Sequence, residues 1–302
     1  MSQLSRYPSP LRYPGGKGKI ANYIKILMIE NNLLGRDYVE PYAGGASVAL
    51  SLLFEDFAEH AYINDLNQGV YQFWKCAVQD TDALCGLISD TDVTIDEWHR
   101  QRAVLELSAS SPLEVGFATF FLNRTNRSGI ISGGVIGGLD QTGPWKIDAR
   151  YNKESLIQRI QKVGRYRTRL AVSNLDAVAF AEHWSDADRD SAFLYLDPPY
   201  FEKGEGLYDN FYEAGDHAGI AAAVGHLAHP WIVSYDAHPD IISLYPDAKH
   251  IRYRLSYSAN HARSLGSEVM FFSQDLNVPE LAPSGVGMAR VAQAQRERLA
   301  GF

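Results

Sequence analysis

Short apolar runs alternate with helix-compatible sequence along this chain, and this alternation constrains its fold more than any other feature. Five runs are typical of buried strands: YVE at 38–40, AYIND at 61–65, LAVSN at 170–174, AFLYLD at 192–197 and WIVSYD at 231–236. The sequence after them predicts helices, among them 46–57, 68–78 and 216–229. Such alternation predicts a mostly parallel, doubly wound α/β sheet that binds ligands at the carboxyl ends of its strands.

A helix-rich stretch interrupts the alternation from residue 66 to about residue 165. IDEWHRQRAVLEL, PLEVGFATFFLN and KESLIQRIQKVGRYRTR predict helices, and the glycine-rich SGIISGGVIGG at 128–138 predicts a loop or hairpin. We therefore predict one domain formed by 1–65 together with 166–302, and a helical insertion formed by 66–165.

Basic residues concentrate in the same stretch. From Arg100 to Arg169 there are twelve lysines and arginines against five acids, a local charge of +7, whereas the rest of the chain carries −15 and the whole chain −8. A basic insertion on an acidic protein indicates contact with phosphate groups. A solvated charged surface is the alternative that the charge alone leaves open.

Several classes of protein are disfavoured by what the sequence lacks. The N-terminal MSQLSRYPSPLRYPGG has no apolar leader segment, and no stretch approaches the roughly 18 apolar residues of a membrane span. The two cysteines, Cys76 and Cys85, lack zinc-site or scaffold spacing, and the nine histidines form no HExxH pattern. The sequence predicts a soluble, cytoplasmic protein without a metal ion or a membrane partner.

Two glycine-containing segments invite comparison with nucleotide-binding loops, and neither fits. YPGGKGKI has Tyr13 and Ile20 where a GxxxxGK[ST] phosphate loop requires glycine and serine or threonine. YVEPYAGGASVAL at 38–50 follows a strand and opens a helix, but it lacks GxGxxG spacing. It predicts a tight turn of small residues that lets the backbone approach a ligand.

A carboxylate ends the next predicted strand. Asp65 in YINDLN lies 25 residues after Glu40. A carboxylate in that place typically accepts hydrogen bonds from the two hydroxyls of a ribose. A turn or helix cap is the alternative function of the segment.

The segment FLYLDPPYFEKG at 193–204 predicts a stiff corner after a buried strand. Pro198 and Pro199 have no N–H, so the turn after Asp197 presents only acceptors. Such a corner suits a ligand that donates, such as the exocyclic amine of a nucleobase, whose two hydrogens the Asp197 carboxylate and the Pro198 carbonyl can accept. Tyr200 then offers a ring on which the base can stack.

The segments LRYPGGKGKI, YVEPYAGGASVAL, YINDLN, FLNRTNRSG and YLDPPYF, in this order and spacing, resemble the Dam-like DNA adenine-N6 methyltransferases, which use S-adenosylmethionine. The resemblance extends from about residue 11 to about residue 275. It implies the Rossmann-like, seven-stranded sheet of the S-adenosylmethionine-dependent methyltransferases as the catalytic domain. The stretch 66–165 occupies the position of the helical target-recognition insertion.

The resemblance also implies a cofactor site. Tyr13 would pack against the cofactor and Lys17 would contact its polar end. Glu40 and Tyr42 would lie near the methionine portion. The full set of implied cofactor-binding residues is Tyr13, Lys17, Glu40, Tyr42, Gly44, Asp65, Asp176 and Asp197, with Asp65 on the ribose hydroxyls and Asp176 on the adenine amine.

The resemblance further implies a catalytic motif and a DNA surface. Asp197, Pro198 and Tyr200 match the catalytic motif, and double-stranded DNA is the implied partner, with the target adenine flipped out of the stack. The candidate DNA contacts are Arg12, Arg124, Arg127 and Arg165. The segment SGIISGGVIGGLDQTGPWKID does not match the hairpin of the members that read GATC, so GATC specificity is not implied.

The alternatives keep the corner at Asp197 and Pro198, but they differ in the group that receives the methyl or in whether the protein is catalytically active. Cytosine N4 and a glutamine amide also offer an NH₂ group, but the order of the motifs favours adenine. A non-catalytic DNA-binding relative is a further alternative, against which the intact DPPY and NDLN segments argue. A cognate restriction endonuclease is a candidate partner.

Overall fold

The computed structural model describes residues 8–13, 17–185, 191–201, 212–257 and 264–300, and its centre is a seven-stranded sheet. The strands are β1 Arg36–Glu40, β2 Ala58–Asn64, β3 Leu170–Ser173, β4 Ala192–Leu196, β5 Trp231–Asp236, β6 Lys249–Tyr257 and β7 Ser264–Phe272. Their order across the sheet is β3-β2-β1-β4-β5-β7-β6. The first five are mutually parallel, and β7 runs antiparallel to both β5 and β6.

The sheet confirms the predicted α/β class and the seven strands that the resemblance implied. The five predicted strands are present. The β6–β7 pair was not predicted from the apolar runs, because β6 alternates between buried and exposed side chains. Within it, Tyr253 is buried between the exposed Arg252 and Arg254.

Eleven α-helices surround the sheet within the described residues. They are α1 Ala21–Glu30, α2 Ser47–Phe54, α3 Gln68–Gln79, α4 Thr81–Asp90, α5 Ile95–Glu106, α6 Pro112–Thr125, α7 Lys153–Arg165, α8 Ala177–Glu182, α9 Ala214–Gly225, α10 Pro239–Ser243 and α11 Met288–Ala300. Helices α2 and α9 end earlier than the predicted 46–57 and 216–229. The five helices α3 to α7 all lie between β2 and β3, where the insertion was predicted.

Side-chain caps fix the starts of the insertion helices. Asn67 caps α3 by accepting a hydrogen bond from the N–H of Val70 at 3.1 Å. In α6, Ser111 and Glu114 form a reciprocal capping box ahead of Pro112 at the first helical position. Each cap satisfies backbone donors that a helix start leaves without intrahelical partners.

The helices pack against the sheet in two hydrophobic clusters. One contains buried side chains of α1 and α2 together with those of α3, α6 and α7, so the insertion helices share a core with the sheet domain. The second lies around α8, α9 and α10 and includes Trp184, Ile220 and Ile241. The sheet thus has helices on both faces, as a parallel sheet requires.

The strand order reverses between β1 and β4, and this reversal creates the crevice of the fold. From β1 the chain continues to β2 on one side, whereas β4 is followed by β5 on the other. The turns after the carboxyl ends of β1 and β4 therefore diverge. Doubly wound sheets bind their ligands at such a point.

Candidate active site

A pocket lies at this crevice. Seven of the predicted cofactor-binding residues line it: Tyr13, Lys17, Glu40, Tyr42, Gly44, Asp65 and Asp197. Residues 14–16 of the RYPGGK segment lie outside the described residues. The eighth predicted residue, Asp176, is not in the lining, but the adjacent Ala177 is.

A tight turn after β1 forms one wall of the pocket. Gly44 has a φ of 46°, which favours glycine. A Cβ at this position would lie 2.7 Å from the nearest ring carbon of Tyr13, so a larger residue would displace that ring. The carbonyl of Gly44 accepts a hydrogen bond from Nε1 of Trp74 at 2.8 Å, which anchors the turn to α3.

Asp65, directly after β2, closes this turn from the other side. Its Oδ2 accepts the N–H of Gly44 at 2.8 Å, and its Oδ1 accepts the N–H of Asn67 at 2.9 Å. Burial raises the pKa of Asp65 to about 6, although the two backbone N–H groups oppose the rise. Each carboxylate oxygen has a second lone pair, so the side chain keeps acceptor capacity toward the pocket.

Glu40 is a buried carboxylate at the end of β1. It is 4% exposed, and its Oε2 accepts the N–H of Ala49 in α2 at 3.0 Å. Burial raises the pKa of Glu40 to about 8, and the negative charge of Asp197 contributes to the rise. A cationic group entering the pocket would favour the ionised form of Glu40.

Glu40 also gives the ligand-free protein a pH-dependent stability. Folded Glu40 retains its proton up to a pKa of about 8, against an ordinary value of 4.5, so the folded state binds this proton more tightly. A rise in pH between these two values therefore favours the unfolded state. We expect the Tm of the ligand-free protein to fall across this range and the Tm of Glu40→Gln to fall less. Thermal unfolding followed by circular dichroism tests this, and equal slopes for the two proteins would contradict it.

Asp176 lies at the start of α8 and caps that helix. Its Oδ1 accepts the N–H groups of Val178 at 3.0 Å and Ala179 at 3.1 Å. The side chain is exposed beside the pocket.

The corner after β4 forms the opposite wall of the pocket. Oδ1 of Asp197 accepts hydrogen bonds from Oγ of Ser234 at 2.6 Å and from Nζ of Lys17 at 2.7 Å. Among the described residues, no hydrogen-bond donor reaches the other oxygen, Oδ2. Farther along the corner, the N–H of Phe201 donates to Oδ1 of Asp236 at 2.9 Å, which ties the turn to the end of β5. Asp197 is therefore held in place through one oxygen.

Lys17 is the buried cation of this corner. Its side chain is 3% exposed, and Nζ also lies 3.8 Å from Oε2 of Glu268 and donates to the Tyr200 hydroxyl at 3.2 Å. Burial by itself would lower the pKa of Lys17, but the surrounding acidic groups, with Asp197 first among them and Glu268 contributing, together outweigh burial, and the pKa is raised well above its ordinary value. Lys17 is thus a permanent cation opposite Asp197.

The other residues of the predicted catalytic motif lie behind the pocket surface. Asp197 and Pro199 line the pocket, whereas Pro198 and Tyr200 are buried and do not. The ring of Tyr200 is 5% exposed, and Nζ of Lys17 lies 4.9 Å from the ring centroid. Residues 202–204 of the quoted segment lie outside the described residues.

The four arginines proposed for DNA differ in their surroundings. Arg127 and Arg165 are exposed. Arg12 and Arg124 are half-buried and donate to backbone carbonyls, Arg12 to Asn126 at 3.3 Å and Arg124 to Arg150 at 2.8 Å.

The structure adds site residues that the sequence motifs did not indicate. Ser234 lies in the apolar run WIVSYD, where a polar residue in a buried strand is the signal that was available. The insertion contributes residues 129–131 to the pocket lining. Tyr212, which lies two residues before α9, also lines the pocket. No local pattern in the sequence indicated these two contributions.

No described helix is both long and apolar enough to cross a membrane. A protein-family model described as D12 class N6 adenine-specific DNA methyltransferase matches residues 13–259. A search of curated proteins found no match.

Proposed function

Because the chain belongs to the D12 class of N6 adenine-specific DNA methyltransferases, we propose that the pocket between β1 and β4 binds S-adenosylmethionine and that the corner after β4 receives the adenine. The chain is an enzyme that methylates N6 of adenine in DNA. One observation carries the proposal: the strand-end carboxylates Glu40 and Asp65 and the acceptor-rich corner at Asp197 line the same pocket.

The pocket fits the charge of S-adenosylmethionine. Its charged lining consists of three carboxylates and one lysine: Glu40, Asp65, Asp197 and Lys17. Because Lys17 is paired with Asp197, Asp65 leaves a negative balance on the other side of the pocket. A cationic ligand would add the charge of Glu40 by favouring its ionised form, which suits a ligand with a sulfonium and an ammonium group. The turn at Gly44 brings backbone close to the space that such a ligand would fill.

We assign the cofactor contacts by position in the pocket. Asp65 would accept the ribose hydroxyls, and Tyr13 would pack on the cofactor beside Gly44. Glu40 and Tyr42 would lie near the methionine portion, with Lys17 at its polar end. Asp176 would reach the cofactor adenine by turning its exposed carboxylate toward the pocket past Ala177.

Asp197 and the backbone carbonyl of Pro198 would orient the target amine, and for this the carbonyl of Pro198 has to become accessible from its place behind the pocket surface. The lone pair of an adenine amine is delocalised into the ring, so the amine is a poor nucleophile. Two acceptors that hold its hydrogens out of the ring plane localise that lone pair on nitrogen. Oδ2 of Asp197 is available for this purpose, because Lys17 and Ser234 occupy Oδ1.

The same carboxylate would stabilise the product-forming step. When bound, S-adenosylmethionine supplies a methyl group on a positively charged sulfur, which makes the methyl carbon electrophilic. Positive charge would develop on N6 as its bond to the methyl carbon forms and the bond between that carbon and sulfur breaks, and the carboxylate of Asp197 would offset that charge. The methylated amine would then lose one of its protons, which restores a neutral N6. Tyr200 would stack on the base. For this, its ring has to move away from the side chain of Lys17 and become exposed to the pocket.

DNA would bind on the side of the helical segment 66–165. The part of the chain from residue 100 to residue 169, most of which lies in this segment, carries a local charge of +7. Residues 129–131 of the segment line the pocket. This arrangement supports a flipped adenine that enters the pocket while neighbouring phosphates contact Arg127, Arg165, Arg12 and Arg124. A cognate restriction endonuclease remains a candidate partner, and resistance of methylated DNA to its cleavage would support it.

Two measurements test the proposal together. Incubation of the purified protein with mixed-sequence DNA and methyl-deuterated S-adenosylmethionine, followed by nucleoside mass spectrometry, should yield labelled N6-methyladenine. Calorimetry with S-adenosylmethionine alone should show one binding site per chain. Labelled cytosine, or binding that persists when the pocket carboxylates are replaced, would contradict the assignment.

Ser234 provides a prediction specific to the positioning of Asp197. Ser234→Ala removes the 2.6 Å hydrogen bond to Oδ1 and leaves Lys17 as the described donor to that oxygen. We expect kcat to fall roughly tenfold, the value of about one charge-assisted hydrogen bond, with the Kd for S-adenosylmethionine unchanged. Single-turnover methylation separates the two quantities. An unchanged kcat would remove the positioning role.

A further inference from the structure

Four arginines form a cluster beside the segment 8–13, at the border between the pocket and the insertion, and the charge of one of them, Arg150, acts on both Arg12 and Arg124. Arg159 donates to the carbonyl of Ser9 at 3.1 Å, and Arg124 reaches the next carbonyl, that of Pro10, at 3.5 Å. Arg124 also donates to the carbonyl of Arg150 at 2.8 Å. The fourth member is Arg12 of the same segment. Consecutive backbone acceptors thus hold the guanidinium groups of Arg159 and Arg124 side by side.

No carboxylate of the described residues pairs with this cluster. None of the ion pairs within the described part of the chain includes any of the four arginines. Burial, together with the positive charges of Arg12, Arg159 and Arg150, lowers the pKa of Arg124 to about 9. Like charges in a half-buried place are unfavourable unless an anion joins them.

Two members keep donors that make no hydrogen bond to the described residues. Nε of Arg159 is buried and has no hydrogen-bond partner. The guanidinium of Arg150 is exposed, and its recorded contact within the described residues is with the ring of Trp145, at 5.9 Å from the centroid. Planar guanidinium donors match the oxygens of a phosphate, and arginine retains its charge where lysine would lose it on burial.

The cluster borders the mouth of the pocket. Tyr13, which follows Arg12, lines the pocket, as does Gly129. The backbone of Gly129 packs so closely on the carbonyl of Arg12 that no side chain fits there. An anion held by the arginines therefore lies beside the entrance through which a base must pass.

We infer that Arg150 and Arg159, together with Arg12 and Arg124, bind a backbone phosphate of the DNA strand next to the nucleotide that enters the pocket. The inference rests on the proposed function, because it takes that pocket as the place of the flipped adenine. It adds Arg150 and Arg159 to the DNA surface. It also gives the four arginines one shared ligand, a phosphodiester.

The salt dependence of DNA binding tests this assignment. Sonicated plasmid DNA of mixed sequence serves as the probe, because a phosphate contact is independent of sequence. For Arg150→Gln we expect the slope of log K against log salt to shrink by about 0.9, and affinity to fall about tenfold at 0.1 M salt. Arg159→Gln should behave alike, and Arg150→Lys should retain most of the slope. The matched control is Arg296→Gln, an exposed arginine of α11, which should bind as the wild type does.

The design separates this inference from the proposed function. If both Arg150→Gln and Arg159→Gln bind DNA with the salt slope and affinity of the wild type, the phosphate site is wrong. Methylation of DNA by the wild type would still support the proposed function in that case. A wild-type protein that neither binds nor methylates DNA would overturn both. Arg150→Gln is the decisive variant. The side chain of Arg150 makes no described hydrogen bond within the protein, so its loss should leave the Tm and the Kd for S-adenosylmethionine unchanged. A third outcome is that millimolar inorganic phosphate competes with DNA for the wild type while the variants keep the wild-type salt slope for DNA. That result would indicate a site for a free anion and would overturn the assignment to DNA.

Discussion

Asp197→Ala is expected to reduce the rate of methyl transfer to adenine by roughly a thousandfold, the upper range for removing one preorganised electrostatic group. The variant loses the acceptor that orients the target amine and the charge that offsets positive charge on N6. Single-turnover methylation with saturating DNA and S-adenosylmethionine measures the effect. Turnover within tenfold of the wild type would refute the role given to Asp197.

Because Asp197 is part of a buried ion pair with Lys17, this experiment needs a control for folding stability. Asp197→Ala leaves Lys17, 3% exposed, with Glu268 at 3.8 Å as its remaining carboxylate. Breaking one side of a buried pair costs about 3–5 kcal/mol of folding stability. The double variant Lys17→Met and Asp197→Asn removes both charges. It should regain stability but not activity, which would show that the loss of activity is not caused by unfolding.

Asp65→Ala is expected to raise the Kd for S-adenosylmethionine by roughly 10-fold to 100-fold, the equivalent of one or two hydrogen bonds to a charged group. The carboxylate would accept the ribose hydroxyls, and it also fixes Gly44 and Asn67 at the pocket wall. Isothermal calorimetry on the protein alone gives the Kd directly.

Asp37→Ala is the matched control for Asp65. Asp37 lies in β1, at the end of that strand away from the pocket, and its Oδ1 contacts Nδ1 of His60 at 3.0 Å. We expect its Kd to equal that of the wild type. If Asp65→Ala binds S-adenosylmethionine as tightly as Asp37→Ala does, the ribose assignment is wrong.

The sequence was most informative where a functional residue follows a buried strand directly. Asp65 and Asp197 could be placed at one edge of the sheet because strand ends in a parallel sheet share that edge. The contacts of Asp197 could not be predicted, since Lys17 lies 180 positions earlier and Ser234 sits on the neighbouring strand. Only the register of β4 against β5 brings Ser234 to that oxygen.

Sequence patterns were less informative about which way charged side chains face. The two NR pairs in FLNRTNRSG indicated two DNA contacts, but they did not indicate that Arg124 is half-buried and donates to the carbonyls of Pro10 and Arg150. Arg127 is exposed, and it donates to the carbonyl of Val135. The β6–β7 pair was also missed, because alternating charged and apolar residues resemble an exposed loop until a partner strand is known.

The common core of the sheet and the helices α3, α6 and α7 has a consequence for engineering. Exchanging residues 66–165 for the corresponding piece of a relative would replace side chains such as Phe73 and Phe120 that the catalytic half relies on for its own packing. A chimera built by simple transplantation should therefore be insoluble or poorly stable. Altered sequence preference is better sought by changing exposed positions on the helices and loops while their inward faces are kept.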